Sequence, residues 1–388
     1  MRCYLNALSM ISAIGADREE AFRHLSSGTT GLRMTEQFSP GQPMPLGLCS
    51  GVLPDIPLAA PYWHSRNNRL ALAALQQLQP AVDNAIQRYG RHRIGVIIGT
   101  STSGISDSEN HMKHCAATGA MPPEYDYRLQ EMGATSAFIA ACLELTGPVY
   151  SISTACSSGA KALASARRLL RAGICDAVIA GGVDTLCHLT VQGFSALEAV
   201  SNEQCNPFSV NRKGINIGEG AGLFLLSAEE AAIELAGVGE SSDAHHISAP
   251  DPSGAGAIRC MQAALLDAGI APDAIDYLNL HGTATALNDQ MEARAVSTIF
   301  GNQIPCSSTK ALTGHTLGAA GALEAAICAL ALEHGFIPRH VWDEQPDLTL
   351  PTVQLAQGQA ATSAMEYALS NSFAFGGNNI SLILRKHS

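Results

Sequence analysis

The chain has 388 residues, enough for two packed units, and its 46% apolar content with only 5% aromatics means a core built from Ala, Leu, Ile and Val. A net charge of −11 argues against a general nucleic-acid binder. Eleven cysteines show no CxxC pair or regular framework, Met1–Ala7 lacks a secretory pattern, and Glu324 interrupts the apolar stretch Leu317–Leu332; these features argue against a disulfide scaffold and a membrane span and imply a reduced, cytoplasmic setting.

Short β-branched runs alternate with Ala-rich helical periods, which predicts layered α/β architecture. From about Met34 to Trp63 the chain is rich in Pro and Gly and reads as an irregular cap. A helix is expected over Asn68–Gln87 and a strand over Ile94–Ile98. Strand Val149–Ser153 leads directly into helix Ser157–Ala172, followed by strands Ala177–Ala180 and Gly222–Leu226. A composition change near Ser227–Gly239 divides the chain into 1–230 and 231–388. Beyond it come helix Gly256–Ala268, strand Tyr277–Leu280, helix Asp289–Phe300, strand Ile304–Ser307, helix Gly318–His334, and strands Tyr367–Ser370 and Ile380–Leu384. Several helices are apolar nearly all round, as helices buried between sheets are. No short repeat is visible.

The most informative segment is Val149-Tyr-Ser-Ile-Ser-Thr-Ala-Cys-Ser-Ser-Gly159, which places the Cys156 thiol between a strand end and a helix N-terminus. The helix dipole and free N–H groups there favour negative charge, so the site is expected to lower the thiol pKa and to hold an oxyanion. Three other strand ends carry polar or flexible residues: Tyr277-Leu-Asn-Leu-His281-Gly-Thr-Ala-Thr285, Cys306-Ser-Ser-Thr-Lys310-Ala-Leu-Thr-Gly-His315, and Ser370-Asn-Ser-Phe373-Ala-Phe375-Gly-Gly-Asn-Asn379. In α/β sheets sites gather at the carboxyl ends of strands, so folding can bring all three to Cys156. Singly, each has a bland reading: a hydrogen-bonded structural His, a solvated Lys, core Phe. Their joint occurrence favours chemistry. The run Gly218-Glu-Gly-Ala-Gly222 lacks dinucleotide spacing, and His111, His114, Cys187, His188, His245 and His246 form no credible metal set.

In these motifs and their order the chain resembles the β-ketoacyl-(acyl-carrier-protein) synthases of the thiolase-like superfamily, and the pair His281 and His315 looks like the elongating Cys-His-His class. The resemblance implies a five-layered αβαβα fold of two similar halves, 1–230 with the nucleophile and cap, 231–388 with both histidines and a Phe gate. It implies that Cys156 carries the acyl chain and that backbone N–H groups of Cys156 and Phe375 form the oxyanion hole. His281 and His315 would stabilise the enolate formed when a malonyl thioester loses CO₂. Lys310 with Glu292 would form a charged pair behind the histidines. Thr283, Thr285 and Phe373 would contact the phosphopantetheine-borne substrate, and Arg66, Arg69, Arg128, Arg212 and Lys213 would dock an acidic acyl carrier protein. No metal or resident cofactor is implied. Dimerisation through Val149–Ser153 is, with a copy or with a related synthase-like subunit.

The chain departs from the family at its opening, at Asn378 where Thr is usual, and in a shortened Ala199–Phe208; Asp107 is expected near the pocket floor, where apolar residues or Gly are usual. The activity would serve fatty acid synthesis or a specialised polyketide-like or aryl-polyene-type pathway, and these departures suggest the specialised one. Two competing readings are a non-catalytic chain-length-determining partner, which the presence of Cys156, His281, His315 and Lys310 disfavours, and a simple acyl transferase, which needs only one base.

Overall fold

The computed structural model describes residues 1–361 and 364–387. Ten strands form two blocks of the same connectivity. The first block comprises β1 (Tyr4–Ile11), β2 (Ile94–Gly99), β3 (Val149–Ile152), β4 (Ala177–Asp184) and β5 (Gly220–Ser227), in the spatial order β3-β2-β4-β5-β1. The second comprises β6 (Ile233–Ser242), β7 (Tyr277–Asn279), β8 (Pro305–Ser307), β9 (Tyr367–Ala374) and β10 (Asn378–Lys386), in the order β8-β7-β9-β10-β6. Strand directions also match: β5 and β10 run antiparallel to both neighbours, and the other pairs are parallel. Adding five to each strand of the first order gives the second.

The main helices repeat in the same way. In the first half α1 (Arg66–Tyr89), α2 (Ala134–Cys142) and α3 (Ser158–Arg171) come after β1, β2 and β3, and in the second α4 (Ala255–Ala268), α5 (Ala286–Phe300) and α6 (Ala320–His334) come after β6, β7 and β8. The blocks touch edge to edge at one pair, Tyr4 with Glu234. Helices α3 and α6 lie between them and share one core with residues of both. Helices α1 and α2 cover the outer face of the first block, and α4 and α5 that of the second. The result is five layers, αβαβα. Helix α6 is buried from Ala320 to Leu332, because a sheet faces it on either side. The stretch Leu317–His334 is apolar enough to cross a bilayer by composition, but 89% of it lies inside the molecule.

Every predicted strand and helix is present, with ends displaced by a few residues. Of the ten block strands two were not anticipated, β1 and β6, nor was helix α2, and β6 occupies most of the segment read as a boundary. The cap is largely irregular but holds one hairpin, Leu32–Thr35 with Met44–Gly47, whose second strand is buried. The β8 edge is covered by the short strand Gln354–Leu355, whereas the equivalent edge of the first block, β3, is open. All eleven cysteines are free.

Candidate active site

Duplication sets the geometry of the site. The turn between β3 and α3 holds Cys156; its counterpart, between β8 and α6, holds Lys310 and His315. Because α3 and α6 pack together at the centre, the two turns face each other. The Thr154-Ala-Cys-Ser-Ser158 turn is pinned by its own hydroxyls. Ser158 Oγ accepts from the Thr154 N–H (2.8 Å) and donates to the Ala155 carbonyl (2.6 Å), and Ser157 Oγ donates to the Thr154 carbonyl (2.7 Å). Ala155 sits at φ +51°, a left-handed conformation that costs an L-residue about 1–2 kcal/mol. These small hydroxyl residues hold the backbone turn that presents the thiol, which is buried.

His315 Nε2 lies 3.0 Å from Cys156 Sγ. Its backbone is fixed on both sides: the His315 N–H donates to the Asn216 carbonyl (2.6 Å), and its carbonyl accepts from Gly218 (2.9 Å). His281 stands edge to face with His315, ring centres 5.4 Å apart. Lys310 Nζ approaches His281 Nδ1 at 3.3 Å and also donates to the His281 carbonyl. An ammonium can only donate, so Nδ1 accepts and the His281 ring proton resides on Nε2.

Lys310 pairs with Glu324 on α6, not with Glu292. That corrects the expected pair. Glu292 on α5 instead accepts the backbone N–H groups of His281 and Gly282, each at 2.7 Å, and so fixes the loop that carries His281. Burial pushes Glu292 up to about 7, against these two donors, and Glu324 up to about 6, against Lys310. Lys310 and Glu324 are both almost wholly enclosed. Removing one partner of a buried pair strands the other, so Lys310→Met is expected to lower stability by about 3–5 kcal/mol in urea unfolding, and Lys310→Met with Glu324→Leu to recover most of that loss.

Burial pushes the Cys156 thiol up to about 12, overcoming the opposing pull of Lys310 and of the Cys156 and Phe375 backbone N–H groups. The helix terminus therefore does not by itself bring the thiol into the thiolate range, as the sequence suggested. The thiol is buried, and α3 begins only at Ser158. Loss of the proton must be coupled to His315. Alkylation by iodoacetamide, which requires thiolate, is accordingly expected to accelerate roughly tenfold per pH unit between about pH 6 and pH 9, without a plateau. A plateau near neutrality would indicate a pre-formed thiolate.

A cavity of about 380 Å³ opens from Cys156, His281 and His315 to the surface. Phe373 and Phe375 form one wall; Phe375 lies against Phe194, ring centres 5.8 Å apart. Thr283 and Thr285 line the passage with their hydroxyls 2.9 Å from each other. Gly376 and Gly377 have φ of +80° and +75°, two consecutive left-handed residues that only glycine adopts without strain. They turn β9 into β10 just beyond Phe375 and leave its N–H facing the thiol.

The five basic residues expected to dock a carrier protein divide. Arg66 is committed to the buried Glu219, with Nε 3.0 Å from Oε2, and Arg212 to Asp347 at 2.6 Å in a nearly enclosed pair. Both are held by carboxylates, but only Arg212 is enclosed, and it also lines the cavity; the Arg66 side chain remains partly exposed. Arg69 bonds the Leu53 and Pro54 carbonyls. Arg128 lies over the Tyr62 ring at 3.7 Å and pairs with Asp126. Lys213, beside Glu203, is exposed at the cavity mouth. Asp107 is not in the cavity wall; its carboxylate accepts the Arg66 N–H at 3.0 Å, at the start of α1.

Glu324, Asn216 and Phe194 are the site residues that sequence reasoning did not assign. Glu324 was visible as the lone charge in an apolar helix, a position that requires a partner. Asn216 and Phe194 had no such signal.

Two family models match the chain, the β-ketoacyl synthase N-terminal domain over residues 65–232 and the β-ketoacyl synthase C-terminal domain over residues 232–342. The chain is 34% identical over 343 residues to 3-oxoacyl-[acyl-carrier-protein] synthase 2 of Staphylococcus aureus (strain COL), covering 83% of this chain and 82% of that one. It is 40% identical over 264 residues to 3-oxoacyl-[acyl-carrier-protein] synthase 2 of Rhizobium meliloti (strain 1021), covering 63% of this chain and 62% of that one. A chain from the complex of the ketosynthase ApeO with its chain length factor ApeC, from Xenorhabdus doucetiae, superposes with a TM-score of 0.94 at 45% identity over 100% of this chain and 98% of that one. With matched models spanning most of its length and a thiol and two imidazoles facing one cavity, the chain belongs to the β-ketoacyl synthase family.

Proposed function

We propose that the protein condenses an acyl thioester with malonyl-acyl-carrier protein to give 3-oxoacyl-acyl-carrier protein and CO₂. The observation that carries this reading is the close approach of Cys156 Sγ and His315 Nε2, with His281 on the same cavity. In the loading step His315 Nε2 takes the thiol proton as sulfur attacks the acyl carbonyl, and the Cys156 and Phe375 N–H groups receive the oxyanion. The tetrahedral species collapses, the carrier thiolate leaves, and His315 returns the proton to it. Cys156 now holds the acyl chain.

Malonyl-carrier protein then enters with its thioester carbonyl toward the histidines. Burial first, then Lys310, holds both imidazoles well below the usual histidine range, so both are neutral near pH 7. His281 donates from Nε2, and His315, once its single ring proton has passed from Nδ1 to Nε2 by exchange, donates beside it, to the oxygen that becomes negative as the carboxylate carbon departs as CO₂. The enolate carbon attacks the acyl-Cys156 carbonyl, the C–S bond breaks and the thiolate is released. Release of CO₂ drives the sequence forward with no resident cofactor required by the chemistry.

The carrier protein is expected at the cavity mouth, where Lys213 offers an exposed positive charge. The ApeO–ApeC complex supports a second subunit, a copy or a synthase-like relative, seated along the open β3 edge. A specialised pathway in a reducing cytoplasm completes this reading. Its test is intact-protein mass after incubation with a panel of acyl-carrier-protein thioesters, then addition of malonyl-carrier protein. A Cys156 adduct that disappears with formation of 3-oxoacyl product supports it; no adduct with any primer, alone or with a partner subunit, sinks it.

A further inference from the structure

The two oxyanion-facing N–H groups belong to different parts of the fold. That of Cys156 rides on the β3–α3 turn in the first half; that of Phe375 rides on the glycine turn between β9 and β10 in the second. Backbone bonds anchor the glycine turn through the β9–β10 ladder, which closes at Ala374 and Asn378, and on its outer side from the Gly376 N–H to the Ile247 carbonyl (2.8 Å) and from the Asp243 N–H to the Gly377 carbonyl (2.9 Å). Among the described residues none of these backbone bonds reaches the Cys156 turn or α3.

One side-chain hydrogen bond, the only one among the described residues, joins the 375–378 segment to the nucleophile's helix. Lys161, five residues after Cys156 on α3, donates from Nζ to Asn378 Oδ1 at 3.0 Å. The Lys161 side chain is largely enclosed and is steadied by Glu240 at 4.0 Å, which is itself held by Arg168. A charge-assisted bond shielded from water is strong and directional. We propose that Lys161 and Asn378 form a latch that sets the spacing of the Cys156 and Phe375 N–H donors, and that both are positioning residues for thioester acylation; this rests on the acyl-transfer reading above.

The latch predicts a separation between two reactions of the same thiol. Thioester acylation develops an oxyanion and needs both donors in place; alkylation by iodoacetamide develops none and depends on them only through their small downward pull on the thiol pKa. Asn378→Leu, which keeps the size and removes the acceptor, is expected to slow single-turnover acylation of Cys156 by about tenfold or more while alkylation stays within about twofold. Asn378→Asp retains the acceptor and is expected to keep most of the acylation rate. Lys161→Met should reproduce Asn378→Leu, and the double variant should be no slower than either single one. Wild-type acylation rates in Asn378→Leu would overturn the latch. So would a parallel fall in both reactions, or losses that multiply in the double variant. Failure of the wild-type protein to acylate would refute the underlying reading instead, and is seen in the same assay.

Discussion

Cys156→Ala is expected to abolish acyl loading and to lower condensation by roughly 10⁴-fold or more, the scale seen when a covalent nucleophile is removed. Release of CO₂ from malonyl-carrier protein should survive within about tenfold, because that half-reaction calls on donors to the thioester oxygen and not on sulfur. The structure separates the two functions: His281 is positioned by Glu292 and Lys310, neither of which depends on the thiol. Intact-protein mass reads the loading step and trapped CO₂ reads the other. An acyl adduct persisting on Cys156→Ala would move the nucleophile elsewhere, first to Cys49, Cys115 or Cys142, the cysteines that are not fully buried. Loss of both half-reactions in a folded variant would mean that the thiol also takes part in decarboxylation.

The four site turns were legible in the sequence because each sits where a β-branched run stops and small, polar or glycine residues begin. Chemistry and chain direction coincide there. What escaped was hidden by packing. Strand β6 reads as a break because it contains Gly237 and Gly239. A Cβ on Gly237 would lie 2.4 Å from the Ala264 carbonyl oxygen, and one on Gly239 2.0 Å from that of Cys260. The glycines that let α4 lie against the strand are those that lower its apparent β propensity. Strand β1 was masked by Asn6 and Ser9; Asn6 caps the Glu229 carbonyl across the fold and Ser9 is wholly buried, so neither polarity signals a loop. The partner of Lys310 could not be chosen by motif. Glu292 and Glu324 both lie near enough along the chain, and only the crossing of α6 against the site turn decides for Glu324. Arg66 and Arg212 looked like docking cations because their partners, Glu219 and Asp347, are more than 130 positions away.

His281→Ala and His315→Ala are expected to fail differently, which the sequence alone could not distinguish. Both should lower condensation by about 10²–10⁴-fold, since each removes a donor to the enolate oxygen. Only His315 touches the thiol, so His315→Ala should also slow loading, whereas His281→Ala should leave loading within a few-fold. Rapid-quench loading and steady-state condensation, measured on the same preparations, give both numbers; equal loading in the two variants would remove His315 as the base. The pH dependence follows from the same geometry. His315 must be neutral to accept the thiol proton. Burial first, and then the charge of Lys310, depresses its pKa well below 6.5, so loading should not lose a neutral base as pH falls through 6.5 and should fail only in more acidic solution. Replacing the ion pair by Lys310→Met with Glu324→Leu removes the cation that helps hold the pKa down. The histidine pKa then rises, protonation sets in earlier on acidification, and the acid limb of loading moves to higher pH. An unchanged acid limb in that folded double variant would show that burial alone keeps His315 neutral.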